Sequence, residues 1–155
     1  MPARARRERF GDLLALARQG WVHEMAARLA DQGFAGYRRS DALVLRSLRR
    51  GPVPVGRLAG ALGVSRQAAR KVVDSLERRG YATTERDGAD ARRLNVVLTS
   101  NGAAYADAVV AAVVSLNRDF ESHVDPARME AAREVLLAVL TRYAPEDPPR
   151  RPVRA

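Results

Sequence analysis

The stretch "VGRLAGALGVSRQAARKVVDSLERRGY", residues 55–81, is punctuated so tightly that few folds can accept it. Gly63 interrupts it after one short helical segment, and Ser65 stands where a helix N-cap accepts a backbone hydrogen bond. Gly80 closes a second, longer segment. Just upstream, Pro52 and Pro54 bar a continuing helix and fit a short extended piece around Val53. What remains is a short helix, a glycine turn and a longer helix, the layout of a helix-turn-helix.

The longer helix has two unlike faces. With Ala69 at the centre of the inner one, Val72, Val73 and Leu76 fall beside it at 100° per residue. The opposite side holds Gln67, Arg70, Lys71, Asp74 and Arg78. Arginine and glutamine can reach guanine and adenine edges in a DNA major groove, and the first residues of such a helix lie closest to them. Asp74 stands four residues from both Arg70 and Arg78 and is read as a clamp that orients arginine. Taken alone, this face is equally compatible with a solvated helix surface.

The segment that follows shifts the balance. "ERDGADARRLNVVLT", residues 85–99, reads as the middle of a hairpin with strands over 81–86 and 93–98 around a loop holding Gly88. A narrow loop with Arg92 and Arg93 behind a recognition helix can enter the minor groove, whose negative potential attracts guanidinium. Asp87 and Asp90 would bond loop amides and hold arginine extended. The competing reading is a solvated loop whose arginines keep an edge strand soluble.

Long helices flank this lobe. A first helix over about 7–32 repeats Phe10, Leu14, Ala17, Trp21, Met25 and Leu29 on one face and stops at Gly33. A second is capped by Ser40, carries Leu45 and Leu48, and ends in arginines before Gly51. A fifth starts at Ser100 or Asn101 with Tyr105, Val109, Val113, Leu116 and Phe120 as its stripe. Asp125 and Pro126 open a sixth, carried by Met129, Ala132, Leu136, Val139 and Tyr143. The fold class expected is mainly α with a small β-hairpin wing. A winged helix-turn-helix lobe occupies 40–99, a helical dimerisation region occupies 7–33 and 100–143, and a proline-rich, disordered tail occupies 144–155.

Charge and composition agree. The 27 basic residues exceed the 18 acidic ones by nine, and every basic residue except Lys71 is arginine. The balance is +7 over 1–64, +3 over 65–93 and −1 over 94–155. A basic surface suits nucleic acid or an anionic membrane; the competing reading is a genome-wide arginine bias. Aromatics are 5% and much of the hydrophobic set is alanine, so the core of one subunit is thin and a second copy is expected to cover the helices. The chain lacks cysteine, and its longest purely apolar run, Ala108–Val114, is too short to span a bilayer. A cytoplasmic location is expected. His23 and His123 have no carboxylates at metal-ligand spacing, and neither a phosphate loop nor a nucleophile elbow is present. No cofactor, no metal and no enzymatic activity are expected. Trp21 reads first as core, Tyr37 and Arg38 as a surface linker, and the "ERR" and "LRR" tracts as solvated helix ends.

The motif "LGVSRQAARKVVDSLERRGY", the wing "DGADARR" and the "VVLTSNG" behind it, framed by long helices, together resemble the MarR family (multiple antibiotic resistance regulators). The order covers about residues 7–143, and the specific motifs about 55–102. The resemblance implies a sequence-specific, double-stranded-DNA-binding repressor acting as a homodimer of first, fifth and sixth helices on a pseudo-palindromic operator. It also implies a small anionic or aromatic effector between the helical platform and the winged lobe, near Trp21, Tyr37 and Arg38. Carried over by position, Ser65, Arg66, Gln67, Arg70 and Lys71 match the recognition surface, and Asp90 and Arg92 match the wing pair, with Arg93 beside them. Gly88 replaces a proline common in such wings, and Pro54 replaces a common hydroxyl cap. The other reading is an architectural or protein-interaction winged helix without an effector. Preference for one operator over random DNA separates the two.

Overall fold

The computed structural model describes residues 9–86, 88 and 94–143. Among them lie α1 (Phe10–Ala30), α2 (Asp41–Leu48), β1 (Val53–Pro54), α3 (Val55–Leu62), α4 (Arg66–Arg78), β2 (Ala82–Arg86), β3 (Leu94–Leu98), α5 (Ser100–Ser122) and α6 (Pro126–Tyr143). The class is the expected one: mostly helical, with one small antiparallel sheet. That sheet has three strands in the order β1-β3-β2, not two. Val53 pairs with Val96 and Pro54 with Asn95, so the extended piece before α3 braces the hairpin from its far side. A two-stranded ribbon is marginal in water, and the third strand with the helices beneath supplies what it lacks.

The turns follow the sequence signals. Gly63 has φ +63°, and the amide of Val64 donates back to the Ala59 carbonyl at 3.1 Å, closing α3. Gly80 has φ +75°, and the Tyr81 amide donates to Leu76 O at 2.9 Å, closing α4 in the same way. Pro54 serves α3 without a hydroxyl: its φ of −62° and ψ of 142° deliver an extended entry, so α3 begins at Val55. Asp125 caps α6 as expected, accepting from the amides of Ala127 and Arg128.

One cap differs from expectation, whereas α5 starts at Ser100 as expected. Ser40 precedes α2 in helical conformation and its side chain makes no capping bond. The turn is closed by Asp41, whose carboxylate accepts from the Arg38 amide at 3.0 Å. For α5 the cap is Thr99, whose hydroxyl accepts from Gly102 N at 2.9 Å and donates to Gly80 O at 2.6 Å. This pins the start of α5 onto the end of α4. A Cβ at Gly102 would stand 1.7 Å from the Tyr81 carbonyl oxygen, so only glycine allows the approach.

The core collects Met25 and Leu29 of α1, Val44, Leu45 and Leu48 of α2, Leu58, Val73, Leu76 and Val96, and Tyr105, Val109 and Leu116 of α5. The stripes of the long helices are only partly covered. Phe10 and Leu14 of α1 and Phe120 of α5 are exposed, and α6 buries none of its described residues. Leu136, Leu137 and Leu140 of α6 remain 44%, 54% and 59% exposed. No helix among the described residues is long and apolar enough to cross a membrane. The expected tail, 144–155, lies outside the described residues. Gly102→Ala is expected to lower unfolding free energy by at least about 2 kcal/mol, because backbone must move to admit the methyl group. Denaturant titration at constant m-value checks this; a variant as stable as the parent contradicts it.

Candidate nucleic-acid interface

The interface is built on α4. Its inner face, Ala69, Val73 and Leu76, is fully buried and seats the helix on the core. Ser65 caps it with extended backbone, its hydroxyl accepting from the Ala68 amide at 3.2 Å. The cap uses an acceptor lone pair of Ser65 and leaves the hydroxyl proton able to donate. Arg66, Gln67 and Lys71 are exposed along the first two turns. The guanidinium of Arg66 lies across Gly56 of α3, 3.3 Å from where a Cβ would stand, so Gly56 makes the space through which Arg66 passes. Four of the five expected recognition residues thus share one open end of the helix, whose N-terminal amides add positive potential.

The fifth, Arg70, is held. Its Nε donates to Asp74 Oδ1 at 2.7 Å and its Nη2 lies 3.4 Å from Glu77 Oε2. The expected clamp by Asp74 on Arg70 is present, but the third member is Glu77 rather than Arg78. The step of seven residues from Arg70 to Glu77 returns to the same helix face, whereas Arg78 projects elsewhere and is exposed. Glu77 also accepts a hydrogen bond from the Thr84 hydroxyl of β2. Asp90, Arg92 and Arg93, the expected wing contacts, lie outside the described residues, as does Asp87.

The far end of α4 is anchored by a side chain that sequence reasoning assigned to a solvated tract. Arg79 donates through Nη1 and Nη2 to the two oxygens of Asp41, at 2.9 and 3.0 Å, and through Nη1 to Gly36 O at 3.1 Å. Asp41 is fully buried. The Tyr105 hydroxyl donates to its Oδ2 at 2.9 Å. Tyr81 stacks on Tyr105 with centroids 4.2 Å apart, and Arg79 lies 5.3 Å from the centre of the Tyr81 ring. Burial works against the Arg79 cation, but the hydrogen bonds and charge of Asp41 outweigh it and raise its pKa. Burial, and then the neighbouring Asp41 charge and hydrogen bond, push the Tyr105 phenol well above its ordinary range. The sequence signal was weak: Asp41 is an acid in the first turn of α2, and Ser40 stands before it as an apparent cap.

Of the three residues expected at an effector site, Tyr37 and Arg38 are chain neighbours before α2 and Trp21 lies on α1. Trp21 is half-buried and meets Phe120 of α5 edge-on, centroids 6.1 Å apart. Tyr37 is half-buried, its phenol raised by burial and by Asp41, and the Arg38 side chain is exposed. Open cavities of about 490 and 650 Å³ lie elsewhere. The first is lined by residues such as Leu48, Arg49, Val97 and Asp107, and the second by α5 residues such as Val114 and Arg118.

A capped recognition helix, a three-stranded sheet carrying a hairpin behind it and a buried anchor at its end define a winged helix-turn-helix protein. Residues 35–93 match the MarR family model. A probable transcriptional regulator from Pseudomonas aeruginosa is similar at 26% identity, with TM-score 0.70 over 85% of this chain and 97% of that one. Mutant MarR from E. coli complexed with operator DNA shares the fold at 21% identity and TM-score 0.69, over 84% and 92% of the two chains. BpsR from Bordetella bronchiseptica does so at 24% and 0.67, over 85% and 93%. No curated protein sequence is a significant match. Residues 35–93 are thus similar to the MarR family, and the described chain shares the fold of the solved transcriptional regulators.

The Tyr105 shift has a consequence for stability. Above about pH 10 an unfolded tyrosine loses its proton while folded Tyr105 keeps it, so rising pH favours the unfolded chain. Stability is therefore expected to be intact below about pH 10 and to decline above it, with Tyr37 adding a smaller contribution of the same sign. Tyr105→Phe should cost about 1–3 kcal/mol near neutral pH and flatten the alkaline decline. Urea midpoints from pH 7 to 11 test this; equal alkaline slopes in parent and variant contradict it.

Proposed function

We propose that the chain is a cytoplasmic transcriptional repressor that binds a pseudo-palindromic DNA operator as a homodimer and is released by a small anionic or aromatic effector. The observation that carries the DNA-binding part is the open first half of α4, where Ser65, Arg66, Gln67 and Lys71 sit together on a rigid, basic helix end. Gln67 and Arg66 suit base edges, and Lys71 and the Ser65 hydroxyl suit phosphates. Arg92 and Arg93 are assigned to the minor groove because their hairpin follows that helix, with Asp90 holding arginine extended. Mutant MarR from E. coli, of the same fold, is complexed with operator DNA.

Residues 40–99 form the DNA-reading lobe in this proposal, and 7–33 with 100–143 pair the subunits. Support for pairing comes from the uncovered apolar faces of α1 and α6, which one subunit leaves in water. An effector is proposed by analogy with BpsR, whose DNA binding is regulated by 6-hydroxynicotinic acid. Its expected neighbours are Trp21, Tyr37 and Arg38, the last two adjoining the Asp41 anchor. The chain itself performs no catalysis in this reading.

The test is a set of duplexes enriched from a randomised pool, titrated at several salt concentrations. The chain should sediment at twice its 17.0 kDa mass at micromolar concentration. Gln67→Ala or Arg66→Ala should lose roughly 1–3 kcal/mol at one matching base pair in each half-site and relax sequence choice there. Lys71→Ala should weaken all duplexes alike and reduce the salt dependence. No enrichment from the pool, or a 17 kDa species, overturns the corresponding part.

A further inference from the structure

Resting on the DNA-binding reading, we infer that Glu77 and Thr84 are specificity-determining positioning residues that hold Arg70 back from indiscriminate phosphate contact. Arg70, Asp74 and Glu77 follow one another at four and then three residues and therefore share one face of α4. Asp74 takes the Arg70 Nε, and Glu77 Oε2 faces its Nη2. Glu77 divides its two oxygens, because Oε1 accepts the Thr84 hydroxyl from β2 while Oε2 faces the arginine. The carboxylate is thereby tied to the sheet that carries the wing, and the arginine is tied to the carboxylate.

The side chains of Arg70, Asp74 and Glu77 are all partly exposed, at 43%, 37% and 27%. They carry one positive charge against two negative ones, so the group has a net charge of −1 in the middle of a basic helix. A phosphate backbone approaching there meets repulsion instead of the usual counterion-release gain. Only a duplex that offers Arg70 well-placed acceptors recovers the cost of leaving its carboxylates. Random DNA is penalised and one sequence much less so, which is specificity by discrimination against wrong partners. The Thr84 hydroxyl makes the arrangement directional: it sets where Glu77, and so Arg70, stands relative to the wing.

Two kinds of substitution separate charge from position. Glu77→Gln keeps the size and the acceptor for Thr84 but removes one negative charge and presents a donor to Arg70; Asp74→Asn removes the other charge at a more exposed site. Each should raise affinity for random duplex by roughly three- to tenfold and steepen the salt dependence by up to about one counterion. Thr84→Val keeps the charges and loses the anchor. It should reduce the ratio of affinities for a pool-selected duplex and its single-base variants at the base pair nearest Arg70, and Thr84→Ser should restore that ratio. A thermal melt of each variant establishes that it is folded. If Glu77→Gln and Asp74→Asn bind random duplex with parental affinity and salt slope, the inference is wrong although DNA binding stands. If the parent chain binds no duplex, the DNA-binding reading falls and the inference with it.

Discussion

Asp41 is a carboxylate without solvent contact, and its demand for donors organises the molecule. Removing a charge from water costs several kcal/mol unless paired donors replace the lost hydration. Here they come from three places: two N–H groups of Arg79 at the end of α4, the Arg38 amide before α2, and the Tyr105 hydroxyl of α5. The carboxylate is satisfied only when these elements meet. Loss of one partner would leave a buried charge unpaired, so the geometry is held more firmly than apolar contact alone would hold it.

From that anchor the recognition helix is positioned in both senses. Its C-terminal end is locked by Arg79, its inner face by Ala69, Val73 and Leu76, and the following strand by the Tyr81–Tyr105 stack. The Thr99 cap and the close passage of Gly102 over Tyr81 join the start of α5 to the same corner. What stays open is the N-terminal half of α4, a rigid platform with exposed side chains, as base reading requires. The linker over 34–40 belongs to the corner too: Gly36 O accepts from Arg79, and Phe34 packs on Tyr105 with centroids 5.3 Å apart. The linker is therefore joined to α4 through Arg79 and Asp41.

Much of this was legible in residue order, and the reason is local. Gly63, Ser65, Gly80 and Asp125 act within one turn of themselves, so caps and turns could be read without knowing the fold. The two-faced pattern of α4 likewise fixed which side would be buried. The long-range pairings were not legible. Asp41 and Arg79 are 38 residues apart, and nothing in "ERR" separates Arg79 from the exposed Arg78 beside it. Glu77 escaped notice because its second partner, Thr84, lies on the strand after the turn. Ser40 misled because a serine before a helix is an ordinary cap, whereas the Asp41 carboxylate took that duty as well as its buried one. Periodicity put Met25 and Leu29 of α1 on the face that the core buries, but it carries no information about what covers the rest of that stripe or the exposed apolar residues of α6.

Methylation interference on a pool-selected duplex tests the central claim most directly, that the open end of α4 reads DNA from the major groove. Guanine N7 faces that groove, so methylation there should block binding at two symmetry-related positions whose centres lie about one helical turn apart, roughly 10 base pairs. In Gln67→Ala and Arg66→Ala chains the interference at the matching positions should weaken, while phosphate contacts persist. Binding that is indifferent to N7 methylation, or blocked at a single unpaired site, would contradict the account.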